Sequence, residues 1–126
     1  MKVITIHNYQ EATKQEIFDF VANHLLTQNE KCTTIFGHCK YRVEKDNKVL
    51  KCAAGCLIPD EDYNVNFEGA NWEKYPSHIS NLPFVKDSEN DKLIRTLQII
   101  HDSYGVFQWE DSLIELARKE NLQVNF

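Results

Sequence analysis

Four cysteines and five histidines are the residues of this 126-residue chain best suited to metal binding or nucleophilic chemistry. Cys52 and Cys56 are four apart, a spacing within the Cys-x2-4-Cys range of structural zinc sites, while the other half of such a site would have to come from Cys32, His38 and Cys39 at irregular spacing. The simpler reading of Cys52 and Cys56 is two small buried thiols. A nucleophilic thiol needs a lowered pKa and a base within hydrogen-bond reach, which makes Cys52 with His101 the candidate catalytic pair. Asp102 is not expected to orient that ring, because adjacent helical residues diverge by about 100°.

Arg42 beside Tyr41, near Lys40 and Lys51, could clamp a phosphate or carboxylate through its planar fork, or could form a surface ion pair with Glu44 or Glu68. Tyr63, Trp72 and Tyr75 could stack on a base or simply cover a small sheet. The acidic run Asp60-Glu61-Asp62 lacks the glycine and alternation of a calcium loop and reads as a solvated turn. No phosphate-binding glycine loop, nucleophile elbow or zinc-protease helix is present, so no cofactor is expected.

The elements that must position these residues read as α+β, a small antiparallel sheet packed against about three helices in a single globular domain over 1–126. Lys2–His7 has the β-branched content of a short strand. Thr13-Lys14-Gln15-Glu16 has the spacing of a capping box, and Ile17, Phe20, Val21, His24 and Leu25 recur at helical intervals towards Gln28. His24 on that stripe reads as a core-edge residue. Residues 39–52 read as a hairpin turning at Asp46-Asn47. The run Cys52–Ile58, closed by Pro59, is expected to be a buried strand end or a tightly packed short helix.

Residues 64–84 are long and weakly patterned, which suggests short helical turns or a binding surface. Ser88 to Asp91 can cap a helix that buries Leu93, Ile94, Leu97, Ile100, His101 and Tyr104 and stops at Gly105. A last helix from about Trp109 to Asn121 buries Leu113, Leu116 and Ala117.

Composition supports a folded domain, with 42% apolar and 26% charged residues. The net charge of −5 lacks the basic face that a phosphate backbone requires, so general nucleic-acid binding is not expected. Met1–Tyr9 turns polar too soon for an export signal or a membrane span, so the cytoplasm is the expected compartment, with four reduced thiols and no membrane partner.

Leu25-Leu26-Thr27-Gln28, Cys39-Lys40-Tyr41-Arg42, Lys51-Cys52-Ala53-Ala54-Gly55-Cys56-Leu57-Ile58-Pro59-Asp60, then Tyr63, Glu68, Gly69, Leu97-Gln98 and His101-Asp102 form a longer pattern over roughly residues 16–117. On these residues the chain resembles a family of small uncharacterised proteins of bacteriophage and bacterial genomes. That family transfers no activity. The resemblance implies a viral or mobile-element origin and a host-directed role, such as blocking a defence protein or sequestering a nucleotide signal.

The leading expectation is therefore a non-enzymatic binding protein in the bacterial cytoplasm. It would take a host protein or a small nucleotide-like ligand through Arg42, Tyr41, Tyr63 and Trp72, and self-association stays open. The rivals are a cysteine-dependent hydrolase or transferase using Cys52 and His101, and a small zinc-stabilised adaptor using Cys39, Cys52 and Cys56.

Overall fold

A computed structural model describes residues 1–69, 72 and 88–126. Among them are α1 (Lys14–Gln28), β1 (Arg42–Lys45), β2 (Lys48–Lys51), α2 (Glu89–Ser103) and α3 (Val106–Glu120), joined partly by single 3-10 turns. The fold is α+β, a two-stranded antiparallel sheet beside helices that pack on one another. No described helix is long and apolar enough to cross a membrane.

Local chemistry starts α1 where the sequence predicts. The Thr13 hydroxyl accepts from the Glu16 N–H at 3.1 Å while the Glu16 carboxylate accepts from the Thr13 N–H at 2.9 Å, and Asn29 ends the helix in the left-handed region. Its buried stripe is Ile17, Phe18, Val21, Ala22 and Leu25. The stripe is rotated from the expected one, leaving Phe20 and His24 at its half-buried edge.

The hairpin pairs Arg42 with Lys51 and Lys45 with Lys48. Asp46 and Asn47 take φ of 51° and 63°, the double left-handed turn whose twist matches that of two strands. The ladder is shorter than residues 39–52, because Cys39 instead faces Thr33 across an isolated bridge. The Gln28 side chain embraces the Lys51 backbone, its amide oxygen accepting the N–H at 3.0 Å and its nitrogen donating to the carbonyl at 2.9 Å.

The expected N-terminal strand does not form. Ile4 and Ile6 are buried, but only the Ile6 N–H reaches across, to the Leu57 carbonyl at 2.8 Å. The Asn8 and Tyr9 amides then bond back to the Thr5 carbonyl and turn the chain away before a ladder can grow. The run from Cys52 resolves into a buried 3-10 turn at Gly55–Leu57. Gly55 is required there, since a Cβ would collide with the Tyr41 carbonyl oxygen.

Ser88 caps α2 by accepting the Asp91 N–H at 3.1 Å. Leu93, Ile94, Leu97, Ile100 and His101 are buried as expected. Tyr104 is exposed rather than inward, because it already lies past the helix end in extended backbone. Gly105 is not a left-handed stop: with φ −66° it precedes α3, and its N–H is taken by the Gln108 side chain, which starts α3 three residues before Trp109.

The first turn of α2 carries a buried carboxylate that holds three segments together. Asp91 accepts from the Tyr9 hydroxyl at 2.9 Å, the Gln10 amide at 2.9 Å, the Trp72 indole at 3.3 Å and the Ser88 hydroxyl at 2.7 Å. Trp72, 4% exposed, meets the Tyr9 ring edge-on at 5.5 Å. Asp91→Ala strands several buried donors at once, so a loss of about 3 kcal/mol is expected in urea unfolding, with Asp91→Asn losing less.

Candidate functional site

A cleft of about 440 Å³ opens between the foot of the hairpin and one face of α2. Arg95, Gln98, Ile99 and Asp102 line it at i, i+3, i+4 and i+7 of the helix, and Cys39, Lys40 and Tyr41 enter from the strand side. Cys52, Glu68, Gly69 and Trp72 complete the wall.

His101 lies directly behind this wall, 0% exposed and stacked on Trp109 with centroids 5.4 Å apart. Its Nε2 accepts the Cys32 backbone N–H at 3.0 Å, so in the neutral ring the proton is on Nδ1, which donates to Asp102 Oδ1 at 2.7 Å. The neighbouring carboxylate thus does orient the ring, contrary to expectation. Nδ1 is the nitrogen nearer its own main chain, and a short Asp side chain reaches it across the helix surface.

Asp102 Oδ1 also accepts from the Gln98 amide at 2.8 Å, and the carboxylate takes the Cys39 thiol hydrogen. Burial pushes the Asp102 carboxyl up, but the His101, Cys39 and Gln98 donors outweigh it and hold the carboxyl below the ordinary aspartate range. The other end of Gln98 accepts the Ala54 N–H at 2.8 Å and fixes the small-residue turn to α2.

Cys39, His101 and Asp102 bring ligand atoms within 4.8 Å of one another. They do not fit a metal as they stand. Binding at Nδ1 would displace the ring's proton while Nε2 stays committed to the Cys32 N–H, which would demand an imidazolate. The zinc set drawn from the sequence is not assembled either. Cys52 accepts the Gly55 N–H at 3.2 Å and Cys56 donates to the Ala53 carbonyl at 3.0 Å, so both sulfurs face their own turn rather than Cys39.

None of the four cysteines is in a disulfide, and none carries an activated thiol. Burial pushes Cys52 well above the ordinary thiol range and raises Cys32 and Cys56 to about 12. Cys39 is exposed, yet burial of its sulfur and then the Asp102 charge raise it to about 11. Both nitrogens of His101 are engaged away from Cys52, so the Cys52–His101 pair lacks a base that could take the thiol proton.

Arg42 does not share the cleft. It lines a separate groove of about 760 Å³ between α1 and the hairpin, together with His24, Gln28, Lys51 and Asp60. Its guanidinium pairs with Asp60 at 2.5 Å and sits 5.5 Å from the Tyr63 ring centroid, while Lys51 pairs with the same carboxylate at 3.2 Å. The Lys51 and Arg42 hydrogen bonds, in that order, hold the Asp60 carboxyl below its usual range. The ion pair is with Asp60 rather than Glu44 or Glu68.

Glu68 serves the backbone instead, accepting the Tyr41 and Arg42 N–H groups and the Tyr63 hydroxyl. Of the expected binding residues, Tyr41 and Trp72 line the cleft while Arg42 and Tyr63 do not. Tyr75 lies outside the described residues, as do the rest of 73–87 and residues 70–71.

No known family, curated protein or solved structure matches this chain. The site therefore rests on its own geometry. Sequence reasoning missed Arg95 and Ile99. Their spacing to Gln98 and Asp102, a second stripe on a helix already buried by Leu93, Ile94 and Leu97, was the available signal.

Iodoacetamide should label native protein only at Cys39, slowly at neutral pH and faster as pH climbs towards 11, with Cys39→Ser removing the reaction; prompt labelling of Cys52 at neutral pH would contradict this assignment. His24, whose Nε2 lies 2.8 Å from the Lys51 carbonyl, is pushed below 6.5 by burial. The unfolded chain binds its proton first as pH falls below 6.5, so stability drops there until the folded pKa is passed. His24→Gln should flatten that part of the stability–pH curve measured by urea unfolding.

Proposed function

We propose that this is a non-enzymatic binding protein of phage or mobile-element origin, holding a small nucleotide-like ligand in the cleft between the hairpin foot and α2. The observation that carries the reading is the composition of that cleft. Two cations, Lys40 and Arg95, stand on a wall shared with Tyr41, Trp72 and Ile99, within a volume of about 440 Å³ suited to a mononucleotide-sized molecule. Lysine and the planar arginine fork suit a phosphate, and the apolar and aromatic part suits a base.

The two carboxylates in the wall are tied into the frame of the cleft. Asp102 accepts from His101, Gln98 and Cys39, and Glu68 from two backbone N–H groups and Tyr63, so their oxygens are engaged by the protein's own donors. The residues that carry the sequence resemblance also support the reading, because Cys39, Lys40, Tyr41, Cys52, Glu68, Gly69, Gln98 and Asp102 all line this cleft. In a bacterial host such a protein would act by withdrawing a nucleotide signal from its receptor.

Protein purified from bacterial cells should release an ultraviolet-absorbing compound on denaturation, and calorimetric titration should find a nucleotide that binds with one-to-one stoichiometry. Lys40→Ala and Arg95→Ala should each weaken that binding roughly tenfold or more. Absence of both a co-purifying chromophore and any nucleotide binding by the stripped protein would defeat the proposal.

A further inference from the structure

One side of the cleft is a strip of α2 in which charge and apolar surface follow a fixed order. Arg95, Ile99 and Asp102 stand at i, i+4 and i+7, so a cation and a carboxylate are two turns, about 10 Å, apart along the axis with an apolar side chain between them. That separation is close to the length of a mononucleotide from phosphate to base edge. Ile99 is 57% exposed, a large apolar side chain left at the cleft surface where a planar ring would cover it. The order of the strip sets the order of the ligand: an anionic phosphate belongs at Arg95, and only an uncharged end bearing hydrogen-bond donors suits Asp102.

Asp102 is equipped to meet such an end. A carboxylate offers about four acceptor positions, two on each oxygen. Oδ1 uses both of its own within the protein, taking the His101 ring N–H at 2.7 Å and the Gln98 amide at 2.8 Å. The Cys39 thiol takes one more, so Oδ2 keeps at least one for a ligand. The side chain is 38% exposed at the wall, and although burial pushes its carboxyl up, the His101, Cys39 and Gln98 donors hold it below the ordinary aspartate range. An anionic acceptor therefore faces the cleft at neutral pH.

Bases differ in what they show to an anion. Guanine carries a ring N–H and an amino N–H side by side, so a carboxylate that takes one meets the other. Adenine and cytosine place a bare ring nitrogen beside the amino group, and uracil flanks its ring N–H with two carbonyl oxygens; in each of these a lone pair faces the carboxylate. We infer, on the basis of the nucleotide reading of the cleft, that its ligand is a guanine nucleotide, with Asp102 selecting the base and Arg95 meeting the phosphate.

Calorimetric titration of the full chain, stripped of any co-purified compound, with guanosine, inosine and adenosine monophosphates tests this assignment. Inosine monophosphate keeps the ring N–H and lacks the amino group, so affinity should fall from guanosine to inosine to adenosine, by roughly tenfold or more between the first and the last. Arg95→Ala should weaken all three by a similar factor and leave their order intact. Asp102→Asn supplies the specific arm: the amide oxygen stays with His101 and Gln98 in the place of Oδ1, so the amide nitrogen replaces Oδ2 and turns a donor to the ligand. Guanosine monophosphate should then lose roughly tenfold or more, while xanthosine monophosphate, which has a carbonyl where guanine has its amino group, should gain. Equal affinities in the wild-type chain, or a preference for adenosine monophosphate, would overturn the base assignment and leave the nucleotide cleft standing. Indifference to the base together with a loss on removing the ribose hydroxyl would place the sugar on Asp102 and overturn it likewise. Binding of none of the three overturns it too, and if denaturation also releases no chromophore the nucleotide reading falls with it.

Discussion

The buried imidazole of His101 is the constraint on which the site depends. One nitrogen accepts the Cys32 N–H and so fastens the segment before the hairpin to α2; the other donates its N–H to Asp102 and so fixes a carboxylate at the wall of the cleft. A side chain with a donor at one end and an acceptor at the other is what this place needs, since a backbone amide lies on one side and an anion on the other. The ring also fills space against Trp109, so the same residue satisfies polar groups and packs the helix pair.

From that anchor the polar contacts spread outward in order. Asp102 collects Gln98 and Cys39, Gln98 reaches the Ala54 amide, and the small-residue turn is thereby pressed close enough to the Tyr41 carbonyl that only glycine fits at 55. Glu68 performs the matching task from the other side by closing the Tyr41 and Arg42 amides. Thiols within this frame are held as neutral sulfur, because Cys32, Cys52 and Cys56 are enclosed by protein, two of them donating to backbone carbonyls, and Cys39 faces the Asp102 charge. The chemistry of the cleft is consequently that of recognition by fixed groups.

What could be read from the sequence was what local chemistry decides. The Thr13–Glu16 box, the Asp46-Asn47 turn and the Ser88 cap each carry their signal within four residues, and each forms as expected. The N-terminal strand misled because alternating Ile4 and Ile6 mark burial, whereas a strand also needs an edge to pair with, and the Thr5 carbonyl turns the chain before one is found. The cleft was hidden for a related reason. Its walls come from residues near 40, 52, 68 and 98, and proximity among these is set by helix packing that no short pattern encodes. The pairing of Cys52 with His101 failed on direction, since the ring is buried with both nitrogens already turned elsewhere.

A two-stranded sheet has no interior strand, so each strand turns one margin of main-chain groups outward, where an extended segment from another molecule could pair. The Gln28 amide removes part of that invitation by presenting to Lys51 the same donor and acceptor that a third strand would offer. Elongation into a larger intermolecular sheet is blocked at that end by a single helical side chain, and contacts made there must be read through side chains rather than through the main chain.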